Sequence, residues 1–322
     1  MGFLALVGLI AIGGYFALLR DEIPYATLAA RYGTAASRYV DLPGGVHLHY
    51  RDEGATNRPA LLLVHGFSAS LETWSRWAAR LSDDYRVISI DLPGHGLTRA
   101  PKDYAACVDA SCDLIQAFAE VKELNHFTIA GNSLGGHVAW EYTLAHPERV
   151  DALVLVDASG WPRANVERKG STFAVTLLRN PAIGHFVSKL GSKMLLQQIV
   201  RGAFADRSLV TQAMVRRYVD LSRAPGHREI MLKLMLDGLV HQDLEPQRLA
   251  PIAKPTLIIW GERDNIAPID DAHSFRNAIA DAQLIAYENV GHFPQEEFAE
   301  ASAAAVRTFL FRVCERTQRQ SN

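Results

Sequence analysis

Cysteine is nearly absent from this chain: Cys107, Cys112 and Cys314 are an odd set of 3 in 322 residues, with no CxxC pair. That spacing offers neither a disulfide framework nor a cysteine-based zinc site. Long runs of like charge are missing too. With 33 basic and 35 acidic residues the formal net charge is −2, so no basic surface points to nucleic acid, which is not an expected partner. The one small basic accumulation, Arg216 with Arg217, reads as a solvated helix face. Internal repeats and low-complexity tracts are also lacking, which argues against solenoids and biased tails. What is there is ordinary globular composition, 48% apolar and 21% charged, in a chain long enough to bury a full core.

Over one stretch the lack of charge carries a different message. Gly2 to Leu19 has no charged side chain and runs through Phe3, Leu4, Leu6, Val7, Leu9, Ile10, Ile12, Phe16 and Leu18. About 18 such residues approach the length of a bilayer-crossing helix. No Lys or Arg precedes the run and no small-x-small cleavage site follows directly after it, which counts against a secretory signal peptide. We expect a single-pass N-terminal anchor in a lipid bilayer through residues 2–19, with a linker or short helix to residue 36. Arg20, Arg31 and Arg38 follow the run and weakly favour a cytoplasmic main body, but the membrane side is left open.

From residue 37 the pattern becomes regular. Strands are predicted at Val46–Arg51, Ala60–Val64, Val87–Ile90, Phe127–Ala130 and Leu153–Val156, with helices at Thr73–Leu81, Asp109–Val121 and Leu134–Ala145 between them. Short continuous apolar runs such as Ala60–Val64 suit strands covered on both faces. Regular alternation of strand and helix predicts an α/β protein, a mostly parallel sheet with helices on both sides. After Ser159 the strands stop. Helical spacing at Phe173–Leu178, Phe186–Val200, Val210–Leu221 and Ile230–Leu239 reads as an insertion. Strands resume at Thr256–Trp260 and Gln283–Tyr287, and Ala299–Val313 is a final helix. The expected division is a core of 37–158 and 246–322 with a helical cap at 159–245.

The sharpest chemical signal is Gly131-Asn132-Ser133-Leu134-Gly135, directly after one strand and before a helix. A G-x-S-x-G pattern in that context places a serine on a tight turn with its hydroxyl exposed, so Ser133 is the candidate nucleophile. A serine hydroxyl needs a base. His292, in Gly291-His292-Phe293 after the last strand, stands where parallel sheets assemble their sites. His137 and His146 read as surface or packing residues, His95 as a turn residue lining the cleft, and His65 as part of the loop after Ala60–Val64. The base needs an acid to set its tautomer. Asp264, in the loop after Trp260, is preferred because it gives the chain order Ser–Asp–His. Asp157 at another strand end is the rival, and Glu262 a weaker one. The candidate oxyanion donors are the backbone N–H groups of Leu134 and, in His65-Gly66-Phe67, of Phe67.

Together His65-Gly66-Phe67, Asp91-Leu92-Pro93-Gly94-His95-Gly96, the Ser133 turn, Asp264 and Gly291-His292 resemble the α/β-hydrolase superfamily, from about Ser37 to Val313. The resemblance implies an eight-stranded sheet with a helical cap after the sixth strand, and neither metal nor organic cofactor. Ser133 argues against the relatives that use an aspartate nucleophile. Phe67-Ser68-Ala69-Ser70, where C–C bond hydrolases of ring-cleavage products carry a Gly-rich stretch, makes the chain more similar to bacterial monomeric lipases and carboxylesterases, some of which begin with an apolar anchor. The expected activity is hydrolysis of a small-molecule carboxylic ester. The alternatives are C–C bond hydrolysis with the same residues, or a membrane-tethered binding protein without turnover.

Overall fold

A computed structural model describes residues 21–161, 180, 183, 193–238 and 246–320. The chain enters through α1 (Tyr25–Tyr32), where the sequence allowed a linker or short helix, and continues into β1 (Ser37–Leu42) and β2 (Val46–Glu53). β3 (Ala60–Val64), α2 (Ser75–Leu81), β4 (Arg86–Ile90), α3 (Val108–Val121), β5 (Phe127–Asn132), α4 (Leu134–Ala145) and β6 (Val150–Val156) follow. Between β6 and the next strand lie α5 (Lys193–Ala203), α6 (Gln212–Leu221) and α7 (His227–Gly238). Then come β7 (Thr256–Gly261), α8 (Ile269–Ala278), β8 (Ala282–Tyr287), α9 (Pro294–Glu297) and α10 (Ala299–Gln320). The eight strands form one sheet in the order β1-β2-β4-β3-β5-β6-β7-β8. β1–β2 and β2–β4 pair antiparallel, and every other pair is parallel.

The continuous apolar runs do what the pattern predicts. Leu62 and Val64 of β3, Leu153 and Leu155 of β6, and Ile258 and Trp260 of β7 pack on one face, under α3, α4 and α8. Leu61 and Leu63, Val154 and Val156, Leu257 and Ile259 turn to the other face, under α2 and α10. Period-2 geometry alternates successive side chains between the faces, so a strand covered on both sides must be apolar throughout. Trp77 of α2 and Ser302 of α10 join those two helices by a 2.8 Å hydrogen bond.

Three differences from the sequence reading have physical causes. β1 is an edge strand whose residues are mostly half-buried or exposed, so Ser-Arg-Tyr-Val-Asp-Leu never shows the alternation that marks a strand. α8 buries only Asp271, Ala272 and Phe275, too narrow an apolar stripe to stand out. The first predicted turn of the helix at Thr73 is a 3₁₀ turn, Leu71–Trp74, ahead of α2. Of the insertion, Phe173–Leu178 and most of the start of Phe186–Val200 lie outside the described residues, as does the apolar segment 2–19. Among the described residues, no helix is long and apolar enough to cross a membrane.

The loop after β4 is organised by one buried carboxylate. Asp91 Oδ1 accepts from the Leu71 amide at 2.8 Å, and Oδ2 accepts from the Leu97 amide at 2.9 Å and faces His49 Nδ1 at 2.6 Å. His49 Nε2 in turn lies 2.8 Å from Ser37 Oγ on β1. Burial alone would push the Asp91 carboxyl up, but the His49 hydrogen bond and charge, the charge of His65 and the Leu71 amide outweigh it and hold the group well below the usual carboxylate range. A group depressed in this way stabilises the fold fully above its unfolded value of about 4, and that contribution is lost only as pH falls toward the folded value. Asp91→Asn turns an amide toward existing donors. It should lower stability by about 3–5 kcal/mol in urea unfolding at neutral pH, with the deficit shrinking in acid below about pH 4. Equal stability of the two proteins at neutral pH would refute this account of the loop.

Candidate active site

Ser133, Asp157 and the Gly261–Asp264 loop all sit just beyond the carboxyl ends of neighbouring parallel strands, where register aligns Asn132 with Val156 and Val156 with Ile259. Ser133 has φ 54 and ψ −118, a sparsely populated conformation for a residue with a Cβ, worth about 1–3 kcal/mol of strain. The surrounding backbone holds it there. Its N–H donates to the Val156 carbonyl at 3.1 Å, and its carbonyl accepts from Ser159 at 3.0 Å and from His137 at 3.1 Å. Gly135 makes the turn possible, since a Cβ there would collide with the Val64 and His65 carbonyls. α4 therefore begins at Leu134, tight against the end of β3, and the Leu134 amide belongs to a first helical turn with no intrahelical acceptor.

The loop after β3 closes on the same point. A Cβ on Gly66 would stand 3.1 Å from the Ser133 Cβ, so glycine is what allows the two loops to touch. Ala69 donates to the Gly66 carbonyl at 3.2 Å, with Ser68 at φ 61. That is a type II pattern with Phe67 and Ser68 at the centre. The turn's own bond uses the Ala69 amide and leaves the Phe67 N–H outside it. His65 is buried beneath, with Nε2 accepting from the Leu92 amide at 3.0 Å and Nδ1 facing the Gly66 carbonyl at 2.8 Å. It supports the loop rather than the chemistry.

His292 is buried and fixed at both ends of its peptide unit. Its N–H donates to the Ala203 carbonyl at 2.7 Å, and its carbonyl accepts from Asn132 Nδ2 at 3.0 Å. The second contact ties the histidine loop to the residue preceding Ser133. On the ring, Nδ1 lies 2.6 Å from Asp264 Oδ2. A carboxylate there holds the proton on Nδ1 and leaves the Nε2 lone pair as the basic site. Asp264 Oδ1 accepts from the Ile266 and Ala267 amides at 2.7 and 3.1 Å, and its side chain is fully shielded from solvent.

The structure thus brings His292 to Asp264 and not to Glu262, which is exposed. Asp157, the rival acid, is fully buried beside them. The ligating atoms of Asp157, Asp264 and His292 lie within 4.8 Å of one another, a donor set that a divalent cation would find acceptable. Yet ligands about 2.0–2.1 Å from a tetrahedral zinc stand roughly 3.3 Å apart. The 2.6 Å separation of His292 Nδ1 and Asp264 Oδ2 is that of a shared proton. The other histidines read as packing are placed so: His137 stacks on Trp140, and His146 lies against Tyr142. His95 is buried edge-on to Phe67 and faces the Pro93 carbonyl at 3.1 Å.

Two supports were not legible in the sequence. Asn132 has a signal in hindsight, because it occupies the variable position of the serine turn. Glu297 has none. Its Oε1 accepts from Gly291 at 2.9 Å, and its Oε2 from Ala205 at 2.8 Å and Asp206 at 3.3 Å. One carboxylate therefore joins the histidine loop to the segment that leaves α5.

Known proteins share this framework. The monoacylglycerol lipase ABHD6 of Bos taurus is 29% identical over 259 residues, covering 79% of this chain and 76% of that protein. A solved membrane phospholipase A, described as a bacterial virulence factor, superposes with a TM-score of 0.71 at 26% identity, covering 97% of this chain and 98% of its own. A meta-cleavage product hydrolase from Pseudomonas fluorescens IP01 superposes equally well, with a TM-score of 0.71 at 26% identity over 85% of this chain and 97% of its own. Residues 59–299 match the family described as alpha/beta hydrolase fold. That span contains the serine turn, both carboxylates and the histidine, and this chain is a member of the alpha/beta hydrolase family.

Proposed function

We propose that the chain is a carboxylic ester hydrolase in which Ser133 attacks the ester carbonyl, His292 takes the serine proton and Asp264 orients the imidazole. The observation that carries the reading is the 2.6 Å contact of His292 Nδ1 with Asp264 Oδ2, in a loop that Asn132 binds directly beside Ser133. Attack by Ser133 Oγ builds a tetrahedral oxyanion, for which the Leu134 and Phe67 amides are the assigned donors. Collapse expels the alcohol, protonated by His292, and leaves an acyl-serine. Water, deprotonated by His292, then attacks the acyl carbon and releases the carboxylic acid.

The helices between β6 and β7 act in this reading as a cap, residues 159–245, over a core of 37–158 and 246–322. The apolar residues Trp161, Phe173, Leu177, Phe186 and Leu190 of this stretch are candidates for an acyl pocket, and the Trp161 ring packs on Phe275 of α8 at 5.2 Å. All but Trp161 lie outside the described residues. Likeness to the monoacylglycerol lipase and the Phe67-Ser68-Ala69-Ser70 stretch support an ester substrate. Likeness to the meta-cleavage product hydrolase supports the second reading, C–C bond hydrolysis at the same three residues. Residues 2–19 are the proposed bilayer anchor, on their uncharged apolar composition and the likeness to a membrane phospholipase A along nearly the whole chain.

Ser133→Ala should abolish turnover of a p-nitrophenyl ester with the far-UV spectrum unchanged, and Asp264→Asn should reduce kcat by about 10⁴-fold by favouring the wrong tautomer. Full activity in Ser133→Ala would end the reading. Faster turnover of a vinylogous diketone than of any ester in the same assay would replace it with the C–C reaction. For the anchor, the full chain should sediment with membranes and resist a high-salt wash, while the chain lacking residues 1–20 should not. A full chain that stays in the supernatant would remove the bilayer from the proposal.

A further inference from the structure

Asp157 is buried with nothing in the ester mechanism to do. It follows β6 directly at φ 43, and its N–H continues the β6–β7 ladder by donating to the Ile259 carbonyl at 3.0 Å. Its Oδ1 accepts from the Gly261 amide at 3.0 Å, while Oδ2, fully shielded, has no hydrogen-bond donor facing it. Asp264 adjoins it: one carboxylate oxygen of each, together with a ring nitrogen of His292, falls within a cluster 4.8 Å across. Two adjacent carboxylates shut away from water do not both ionise, so one of them holds a proton. The donors around them decide which. Asp264 accepts from Ile266, Ala267 and His292, whereas Asp157 accepts from Gly261. The charge therefore settles on Asp264.

We infer that Asp157 is a positioning residue that works as a neutral carboxylic acid, its Oδ2–H donating to the Asp264 carboxylate and holding it against His292 Nδ1. This gives the orphaned oxygen a partner and leaves the cluster with a single negative charge to face the imidazole. Burial raises the Asp157 carboxyl well above its ordinary range, and the charge of Asp264 and, more weakly, that of Glu297 add to the rise, against the Gly261 amide. His292, Asp264 and Glu297 are the titratable groups around it.

The inference rests on the roles proposed above for Ser133, His292 and Asp264, and Ser133→Ala and Asp264→Asn test those roles separately. The decisive variants are Asp157→Asn and Asp157→Ala, assayed as kcat/KM against pH on the ester that the wild type turns over. Asparagine mimics the neutral acid, because its carbonyl can accept from Gly261, its amide can donate to Asp264, and it tolerates a positive φ. Asp157→Asn should keep activity within about threefold of the wild type, with the acid limb of the profile unmoved. Asp157→Ala removes the donor and leaves the full carboxylate charge of Asp264 to face His292. Its kcat should fall about tenfold, and its acid limb should move up by about half a pH unit.

Other outcomes overturn the inference. An acid limb displaced downward in Asp157→Asn would mean that the native carboxyl is ionised and was raising the basicity of His292. A collapse of Asp157→Asn to the level of Asp264→Asn would make Asp157 the orienting acid. Wild-type behaviour in both Asp157 variants would leave it no positioning role. Should Asp157→Ala not fold, the Asp157→Asn profile decides alone, through the direction of its acid limb.

Discussion

The site depends on the hydrogen bond between His292 Nδ1 and Asp264 Oδ2, and that bond exists because two loops, following β7 and β8, are pressed together. A Cβ on Gly261 would meet the Val290 and Gly291 carbonyls, so the loops touch main chain to main chain. Arg263 N–H adds a 3.0 Å bond to the Val290 carbonyl. With the backbones fixed, neither side chain has much freedom left to lose when the imidazole and carboxylate meet. The ordering entropy was spent in folding the sheet. The same principle governs Ser133. Its strained backbone is braced by Val156 of β6, His137 of α4 and Ser159 in the loop after β6.

The strand ladders do not stop where the strands do. Ser133 donates to Val156, Asp157 donates to Ile259, and Gly261 donates to the side chain of Asp157. Each turn residue is thus fastened to the next strand over, so the chain bends at Ser133 and Asp157, both at positive φ, without releasing its neighbours. A row of such bends along the carboxyl edge turns a parallel sheet into a platform whose projecting side chains have set positions. It also explains how two carboxylates come to be neighbours. They follow adjacent strands in register, and the cost of that proximity is met by withholding a proton from solvent rather than by separating them.

The features legible in the sequence were those with a one-dimensional signature. Leu61 to Val64 and Leu153 to Val156 are apolar at every position because both sheet faces are covered, and the Ser133 turn announces itself by glycines that its crowding demands. His292 was found by its Gly-His-Phe setting after the last strand and Asp264 by chain order, but their meeting is tertiary. Three features were illegible because their cause lies in space. β1 is an edge strand stabilised by pairing to β2 rather than by an apolar face. Asp91 looks like any turn aspartate until His49, Leu71 and Leu97 converge on it. Asp157 could be ranked as a rival acid by its strand-end position, but its proton is a property of its distance from Asp264.

The attachment of the inserted helices sets one further constraint. Ala203, the last residue of α5, accepts the His292 N–H, and Glu297 binds Gly291, Ala205 and Asp206 together. Burial pushes the Glu297 carboxyl up, against the amides that favour its charge. The segment that leaves α5 is therefore bolted to the peptide of His292, while the apolar cluster of Val200, Phe204, Val215 and Phe293 packs around the joint. Shape changes in the insertion cannot be absorbed at this end without moving His292. α7 meets a different loop, the one after β3, where Ser68 Oγ lies 3.8 Å from Met231 Sδ. The end that meets α5 is held to one geometry by the chemistry beneath it.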